Sequence, residues 1–209
     1  MSSQRGAPSD GVSGDLAARL DKTIRDVADF PRPGILFKDI TPVLADAALF
    51  AEVISALAAP WRNAGVTHVV GIESRGFIFG APVALALNVG FVPARKPEKL
   101  PRLFVSESYD LEYGRAELQI HSDAFGAREF GDSTRGAAAG AAAGTAAGTA
   151  RVLVVDDLLA TGGTARAALR LVKRLGAESV GVSAVIDLAF LPWREALAGT
   201  QVETLVSFS

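Results

Sequence analysis

Short apolar runs alternate with longer amphipathic runs along most of the chain. The short runs are rich in valine, isoleucine and leucine, which is typical of buried strands, and the longer runs repeat apolar residues at helical spacing. The pattern predicts strands at residues 66–72, 91–95, 117–121, 152–155 and 179–188, and helices at residues 49–61, 76–88 and 164–175. We therefore predict an α/β fold, a mostly parallel twisted sheet flanked by helices, with ligands bound where strands end and helices begin.

The N-terminal part follows a different pattern. Residues 1–14 are small and polar, and we expect them to form a disordered lead. Apolar residues then recur at helical spacing from Leu16 to Val27, behind a candidate N-cap at Asp15. Two prolines within residues 30–34 end that helix, because each biases its preceding residue away from helical dihedral angles.

Composition narrows the class of protein. The 209 residues are 49% hydrophobic, enough for one domain with a sizeable core, and their net charge of −2 argues against a nucleic-acid partner. The absence of cysteine and the presence of only two histidines exclude disulfides, thiolate chemistry and multi-histidine zinc sites. Because no apolar stretch matches a secretory leader or a membrane span, we expect a cytoplasmic protein with no membrane partner.

A low-complexity stretch interrupts the pattern late in the chain. Residues 136–150 consist only of glycine, alanine and threonine. Alanine favours a helix, but each glycine in a helix costs about 1 kcal/mol, so a stable isolated helix is not expected. We interpret residues 131–150 as a flexible insertion in a single domain that spans residues 15–209.

The most informative stretch is RVLVVDDLLATGGT, residues 151–164. Apolar residues lead into Asp156 and Asp157, and a small-residue loop then opens a helix. Such a loop leaves backbone N–H groups available for a phosphate, and two carboxylates at a turning strand end can accept hydrogen bonds from neighbouring hydroxyls. The combination suits a ribose 5-phosphate. The alternative is that one aspartate caps the turn and the other is solvated.

The motif resembles the 5-phosphoribosyl-1-diphosphate (PRPP) signature of the type I phosphoribosyltransferases. Neither GxxxxGK[ST] nor GxGxxG occurs in the chain, so the sequence lacks the main motif that would indicate a P-loop NTPase or a Rossmann dehydrogenase. The resemblance implies that Asp156 and Asp157 hold the ribose 2- and 3-hydroxyls. It also implies a cradle for the 5-phosphate made of Ala160, Thr161, Gly162, Gly163 and Thr164.

Further stretches resemble the adenine phosphoribosyltransferases within that family. FPRPGILFKDITP at residues 30–42 resembles their N-terminal hood, which we place at residues 15–45. GIESRGFIFG at residues 71–80 resembles their diphosphate-binding loop, and SYDLEYGRAEL at residues 108–118 resembles their mobile catalytic loop. The resemblance implies transfer of phosphoribose from PRPP to adenine, giving AMP and diphosphate, with Mg²⁺ bound mainly through the diphosphate. It also implies a homodimer.

The hood residues suit a flat, weakly polar base. Phe37 offers a stacking face, backbone groups near Leu36 and Lys38 can read the purine edge, and Leu188 can close the other face. The alternative for Phe37 is ordinary core packing.

Basic residues suit the diphosphate. Ser74 and Arg75 lie between a predicted strand and a helix, where a guanidinium and backbone N–H groups converge on an anion, and the resemblance implies a cis peptide bond at Glu73–Ser74. Arg95, Lys96 and Lys99 follow the next strand. The alternative for Arg75 is a surface arginine, and the alternative for Lys96 and Lys99 is that they are solvated. Pro97 and Glu98 stand where some relatives have a basic residue and a glycine.

Glu112 is the candidate catalytic residue. Its carboxylate can stabilise an oxocarbenium-like transition state or accept the purine N9 proton, and Tyr109 and Tyr113 suit a lid that excludes water. The alternative is that Glu112 only solubilises a hairpin. Two other functions stay open: a regulator that keeps the PRPP loop without catalysis, and an enzyme for 6-oxopurines.

Overall fold

The computed structural model describes residues 14–111, 114–126 and 149–209. Its strands are β1 (Arg25–Ala28), β2 (Leu36–Asp39), β3 (His68–Ile72), β4 (Gly90–Ala94), β5 (Phe104–Leu111), β6 (Gly114–His121), β7 (Arg151–Leu159), β8 (Glu178–Leu188) and β9 (Val202–Phe208). Its α-helices are α1 (Gly14–Thr23), α2 (Thr41–Ala45), α3 (Ala47–Ala58), α4 (Arg75–Leu87), α5 (Gly163–Arg174) and α6 (Trp193–Ala196). A 3-10 turn, Ala59–Trp61, extends α3.

A five-stranded sheet in the order β4-β3-β7-β8-β9 forms the centre of the molecule. Every neighbouring pair in it is parallel, which confirms the predicted α/β class. The central strands are apolar along most of their length because both faces are covered. Since all strands run the same way, the carboxyl ends of β3, β7 and β8 meet at one edge.

Two apolar clusters fill the space on the two faces of the sheet. One face packs against α3 and α4 through residues such as Val53, Phe79 and Leu153. The other packs against α5 and the antiparallel β5–β6 pair through residues such as Leu118 and Leu171. The fold is therefore a three-layer sandwich, and the helices that begin at the carboxyl edge, α4 and α5, belong to opposite layers.

The hood differs from its prediction. The first helix ends at Thr23, and Val27 lies in β1, which pairs antiparallel with β2. The prediction of a helix through Val27 is therefore wrong, because pairing with a segment beyond the prolines overrides local helical spacing. Asp15 lies inside the first turn of α1 rather than at its N-cap. Phe30–Pro31, in the connection between the two strands, is a cis peptide bond.

Several other boundaries shift. The prediction that Asp156 and Asp157 lie at a strand end is wrong, because β7 continues to Leu159. Strands β5 and β9 were not predicted.

Residues 1–13 and most of the glycine–alanine–threonine stretch lie outside the described ranges. None of the helices within those ranges combines the length and the apolar character that a membrane span requires.

Candidate active site

A cleft of about 990 Å³ opens at the carboxyl edge of the sheet. Its walls come from the hood, the start of α4, the β5–β6 hairpin, the β7–α5 loop and the segment after β8. The predicted site residues that line it are Leu36, Ser74, Arg75, Lys96, Tyr109, Asp156, Asp157, Ala160, Thr161, Gly162, Thr164 and Leu188. Residues far apart in sequence thus meet in one space, as expected for a site built at strand ends.

The two aspartates of β7 form the charged floor of the cleft. Asp157 is 5% exposed, and its Oδ2 lies 3.1 Å from the Nη1 of Arg75. Its backbone N–H donates to the Oδ1 of Asp156 at 2.9 Å. Burial raises the pKa of Asp156 well above its usual value, and the charge of Asp157 adds to the rise. Burial also raises the pKa of Asp157, although Arg75 opposes this. Neither aspartate is a solvated surface group.

The β7–α5 loop has the features of a phosphate cradle. Gly162 is the N-cap of α5 and has a φ of +77°, a conformation that favours glycine. The helix begins at Gly163 and is 12 residues long, so its first N–H groups have no partner within the helix. Ala160, Thr161, Gly162 and Thr164 line the cleft, whereas Gly163 is buried and does not.

Arg75 joins the two halves of the site. It opens α4 directly after Ser74, and the Glu73–Ser74 peptide bond is cis, which confirms the expectation from the resemblance. Its guanidinium lies 5.3 Å from the ring centroid of Phe37 in the hood as well as beside Asp157. Arg75 therefore contacts both the hood and the sheet, while 39% of its side chain remains exposed, and its role at the diphosphate stays a prediction.

The basic residues after β4 are divided between the cleft and an ion pair. Lys96 lines the cleft. Arg95 does not, because its Nε donates to Glu73 at 3.0 Å, and the same carboxylate accepts the backbone N–H of Lys96 at 2.9 Å. The hydrogen bond from Arg95 holds the pKa of Glu73 below its usual value. Lys99 is exposed and away from the cleft, so the structure does not bring Arg95 and Lys99 to the predicted site.

The hood presents a different set of side chains from the one predicted. Leu36 faces the cleft, but Phe37 packs edge-on against Phe30 at 5.1 Å and does not line it. Lys38 is 8% exposed, pairs with Asp26 at 2.6 Å and lies 3.8 Å above the ring of Phe208. The side chain of Lys38 thus ties the hood to β9.

Sequence reasoning missed part of the cleft wall. The additional apolar lining includes Pro31, Ile35, Phe190 and Leu191. Ile35 is next to Leu36 in the sequence, and Pro31 lies in the proline segment of the hood. Phe190 and Leu191 follow closely after Leu188. Their proximity in sequence to predicted site residues is the signal that could have identified them. Tyr109 lines the cleft opposite Ala116 in the hairpin, whereas Glu112 and Tyr113 lie outside the described residues.

Comparisons with known proteins agree with this geometry. Residues 41–189 match the family described as phosphoribosyl transferase domain, so fold and site define a phosphoribosyltransferase. The chain is 52% identical to an adenine phosphoribosyltransferase of Myxococcus xanthus, over 92% of this chain and 94% of that one. A solved adenine phosphoribosyltransferase of Rhodothermus marinus superimposes with a TM-score of 0.79 at 44% identity, over 94% of this chain and 100% of that one. The yeast adenine phosphoribosyltransferase, solved with an imino-altritol bisphosphate and adenine, gives a TM-score of 0.76 at 34% identity, over 92% of this chain and 99% of that one. The chain belongs to the adenine phosphoribosyltransferase family.

Proposed function

We propose that this protein transfers the 5-phosphoribosyl group of PRPP to N9 of adenine, forming AMP and diphosphate for purine salvage. The observation that carries the proposal is the arrangement at β7, where two adjacent carboxylates near the end of the strand are followed, after Leu158 and Leu159, by a glycine-containing loop and a helix N-terminus. A ligand that offers a vicinal diol next to a phosphate satisfies both features. The names of the relatives favour adenine as the acceptor.

PRPP then spans the length of the cleft. The hydroxyls of the ribose donate to Asp156 and Asp157, and the 5-phosphate accepts N–H groups from the loop of residues 160–164. The diphosphate extends toward Ser74, Arg75 and Lys96, which line the opposite side. Arg75 serves both ends of this arrangement, since it faces the diphosphate and its ion pair with Asp157 opposes the rise that burial causes in the pKa of that carboxyl.

Adenine lies between the hood and the end of β8. Leu36 and Leu188 provide apolar walls, and Phe190 extends the second wall. Strand β2 pairs only with β1 among the described residues, so its other edge leaves backbone N–H and C=O groups near Leu36 and Lys38 for the purine edge. Phe37 stands behind this wall, against Phe30 and Arg75.

Magnesium fits the donor set as an ion that arrives with the substrate. Within the described ranges no group of three or more histidine, aspartate and glutamate side chains is placed to hold a metal. Mg²⁺ needs few protein ligands when phosphate oxygens supply the others, and Asp156 and Asp157 are the carboxylates nearest the ribose. When bound, the ion neutralises charge on the diphosphate.

The chemical step is a substitution with inversion at the anomeric carbon. The bond from that carbon to the diphosphate oxygen breaks, the bond to N9 forms, and the N9 proton passes to the carboxylate of Glu112. The carboxylate also stabilises the positive charge that develops on the ribose ring in the transition state. Tyr109 and the hairpin that carries it exclude water, which would otherwise hydrolyse PRPP.

Replacement of Glu112 by alanine tests both the reaction and this role. With Mg²⁺ and PRPP, we expect diphosphate release with adenine but not with hypoxanthine, guanine or xanthine offered singly. Glu112→Ala should lower kcat at least about tenfold, because general acid–base groups contribute about 10²–10⁴-fold. Glu107→Gln is the matched control. Glu107 lies on the same hairpin but outside the cleft, and its Oε1 is 3.2 Å from the Nη1 of Arg170. Release with none of the bases despite PRPP binding would indicate a regulator instead.

We also propose that the protein is a homodimer. Large apolar side chains are exposed on α4 and before β5, among them Leu85, which is 81% exposed, Ile78 and Leu103. Ile78 and Leu85 lie seven residues apart and so share one face of α4, and a contiguous exposed apolar patch is typical of an association surface. Light scattering should give twice the 21.7 kDa mass of the chain, and a mass equal to one chain at micromolar concentration would contradict the proposal.

A further inference from the structure

A buried carboxylate that the proposed reaction does not use lies directly behind the cleft. Asp187, near the end of β8, is 2% exposed. Its Oδ1 accepts the indole N–H of Trp193 at 3.3 Å and the hydroxyl of Ser207 at 3.1 Å, and its Oδ2 accepts the hydroxyl of Thr204 at 2.9 Å. A guanidinium nitrogen of Arg194 lies 3.8 Å from Oδ1. These donors come from two elements, α6 and β9, which Asp187 therefore joins.

The α6 side of this network reaches the predicted phosphate cradle. Gly162 packs so closely against α6 that a Cβ on it would lie 3.0 Å from the Cβ of Ala196 and 3.1 Å from the Cα of Trp193. Trp193 is itself 7% exposed, so it has little freedom to move independently of its surroundings. The position of α6 thus limits where the loop backbone at Gly162 can lie.

The carboxylate of Asp187 also holds together the two ends of the segment from Leu188 to Trp193, which forms the wall of the cleft on the side of the base. The chain leaves β8 at Leu188, and Phe190 and Leu191 line the cleft before α6 begins. Because Trp193 donates back to Asp187, the two ends of this segment are held at one point. A single buried group therefore lies behind both the loop at the 5-phosphate and the wall at the base.

We propose that Asp187 is a positioning residue for the 5-phosphate site, acting through the indole N–H of Trp193 and the contact of α6 with Gly162. The inference rests on the proposed function, since it assumes that the loop of residues 160–164 binds the 5-phosphate. Backbone N–H groups bind a phosphate well only when their positions are fixed, and a shift of about 1 Å in a binding group can cost about 10²-fold. The Asp187–Trp193 hydrogen bond supplies that fixing.

Two variants separate positioning from general stability. Trp193→Phe removes the indole N–H and keeps an aromatic ring. Thr204→Val removes a donor to the same carboxylate from β9, which supplies none of the atoms nearest to Gly162. Both variants lose one hydrogen bond to Asp187, so we expect both to lower the melting temperature. Only Trp193→Phe should change the phosphate site.

The measurement is calorimetric titration with two probes, ribose 5-phosphate and magnesium diphosphate. We expect Trp193→Phe to raise the Kd for ribose 5-phosphate at least about fivefold and leave the Kd for diphosphate unchanged. Thr204→Val should leave both unchanged. Equal Kd values for ribose 5-phosphate in Trp193→Phe and the wild type, or a parallel rise for both probes, would overturn the inference. If Trp193→Phe does not fold, Asp187→Leu, which removes the acceptor of the indole N–H, replaces it with the same expected pattern. A wild-type protein that binds neither probe would instead overturn the proposed function.

Discussion

Replacing Asp156 by asparagine should weaken PRPP binding at least about tenfold and, at the same time, stabilise the ligand-free protein at pH 7. A hydrogen bond to a charged group contributes about 1.5–3 kcal/mol, which corresponds to roughly 10- to 150-fold in affinity. Asparagine keeps an oxygen that can accept the N–H of Asp157 but removes the charge that the ribose hydroxyl requires. The loss of affinity therefore needs no change of fold.

The gain in stability follows from the direction of the pKa shift. The pKa of Asp156 is raised in the folded protein by burial, while the unfolded chain has the ordinary value. Such a group contributes stability that is fully present below its unfolded pKa and is lost as the pH rises through its folded pKa. At neutral pH, which lies above the unfolded pKa, the folded protein therefore carries a free-energy penalty at this carboxyl. Asparagine removes this penalty, and a rise of about 1 kcal/mol would increase the Tm of a domain of this size by about 2–4 °C.

Differential scanning calorimetry and PRPP titration on the same samples test this pair of effects. Asp46→Ala is the matched control, because Asp46 caps α3 by accepting the N–H groups of Ala48 and Leu49 at 3.0 Å. Loss of that cap should lower stability by about 1 kcal/mol and leave PRPP affinity unchanged. An Asp156→Asn protein that melts below the wild type, or that binds PRPP normally, would contradict the assigned role.

Arg75→Gln should lower kcat/KM for PRPP by about 10- to 100-fold at pH 7. It should also move the acid limb of the pH profile of kcat/KM to higher pH. Burial raises the pKa of Asp157, and the guanidinium of Arg75 at 3.1 Å opposes that rise. Without Arg75 the pKa of Asp157 rises further, so the charged form that binds the ribose appears only at higher pH. The expected size again follows from hydrogen bonds to a charged group.

The pH profile of kcat/KM for PRPP is the appropriate measurement, since it reports groups in the free enzyme. Arg102→Gln serves as the control, because Arg102 is exposed and its nearest carboxylate, on Asp123, is 3.8 Å away. Its profile should match the wild type. An acid limb that stays in place in Arg75→Gln, or that moves equally in both variants, would show that Arg75 does not govern the charge of Asp157.

Much of the sheet and the PRPP half of the site could be predicted from the sequence. The apolar runs of β3, β7 and β8 are strong local signals because both faces of each strand are buried. The stretch of residues 151–164 carries the strand, the carboxylates and the loop together. The continuation of β7 through Asp156 and Asp157 was missed because aspartate disfavours strands. Charged residues held inside a strand are a local conflict of the kind expected at a functional site.

The hood and the limits of the cleft were harder to predict, because they depend on contacts between distant residues. Strand β1 is exposed along its whole length and, among the described strands, pairs with β2 alone, so it carries no apolar alternation. The side-chain directions of Phe37 and Lys38 are set by Phe30 and by Phe208 at the far end of the chain. Arg95 similarly faces Glu73, a partner more than twenty residues away. No local pattern encodes these choices.

We expect the cleft to join adenine, rather than another purine, to the phosphoribosyl group of PRPP. The most direct test supplies equal concentrations of adenine, hypoxanthine and guanine with limiting Mg²⁺–PRPP and identifies the nucleotides formed by chromatography. We predict AMP as the dominant product, formed in amounts equal to the diphosphate released, and formed at least about tenfold more slowly by Asp157→Asn. Formation of IMP or GMP in comparable amounts, or consumption of PRPP without any nucleotide, would contradict the account.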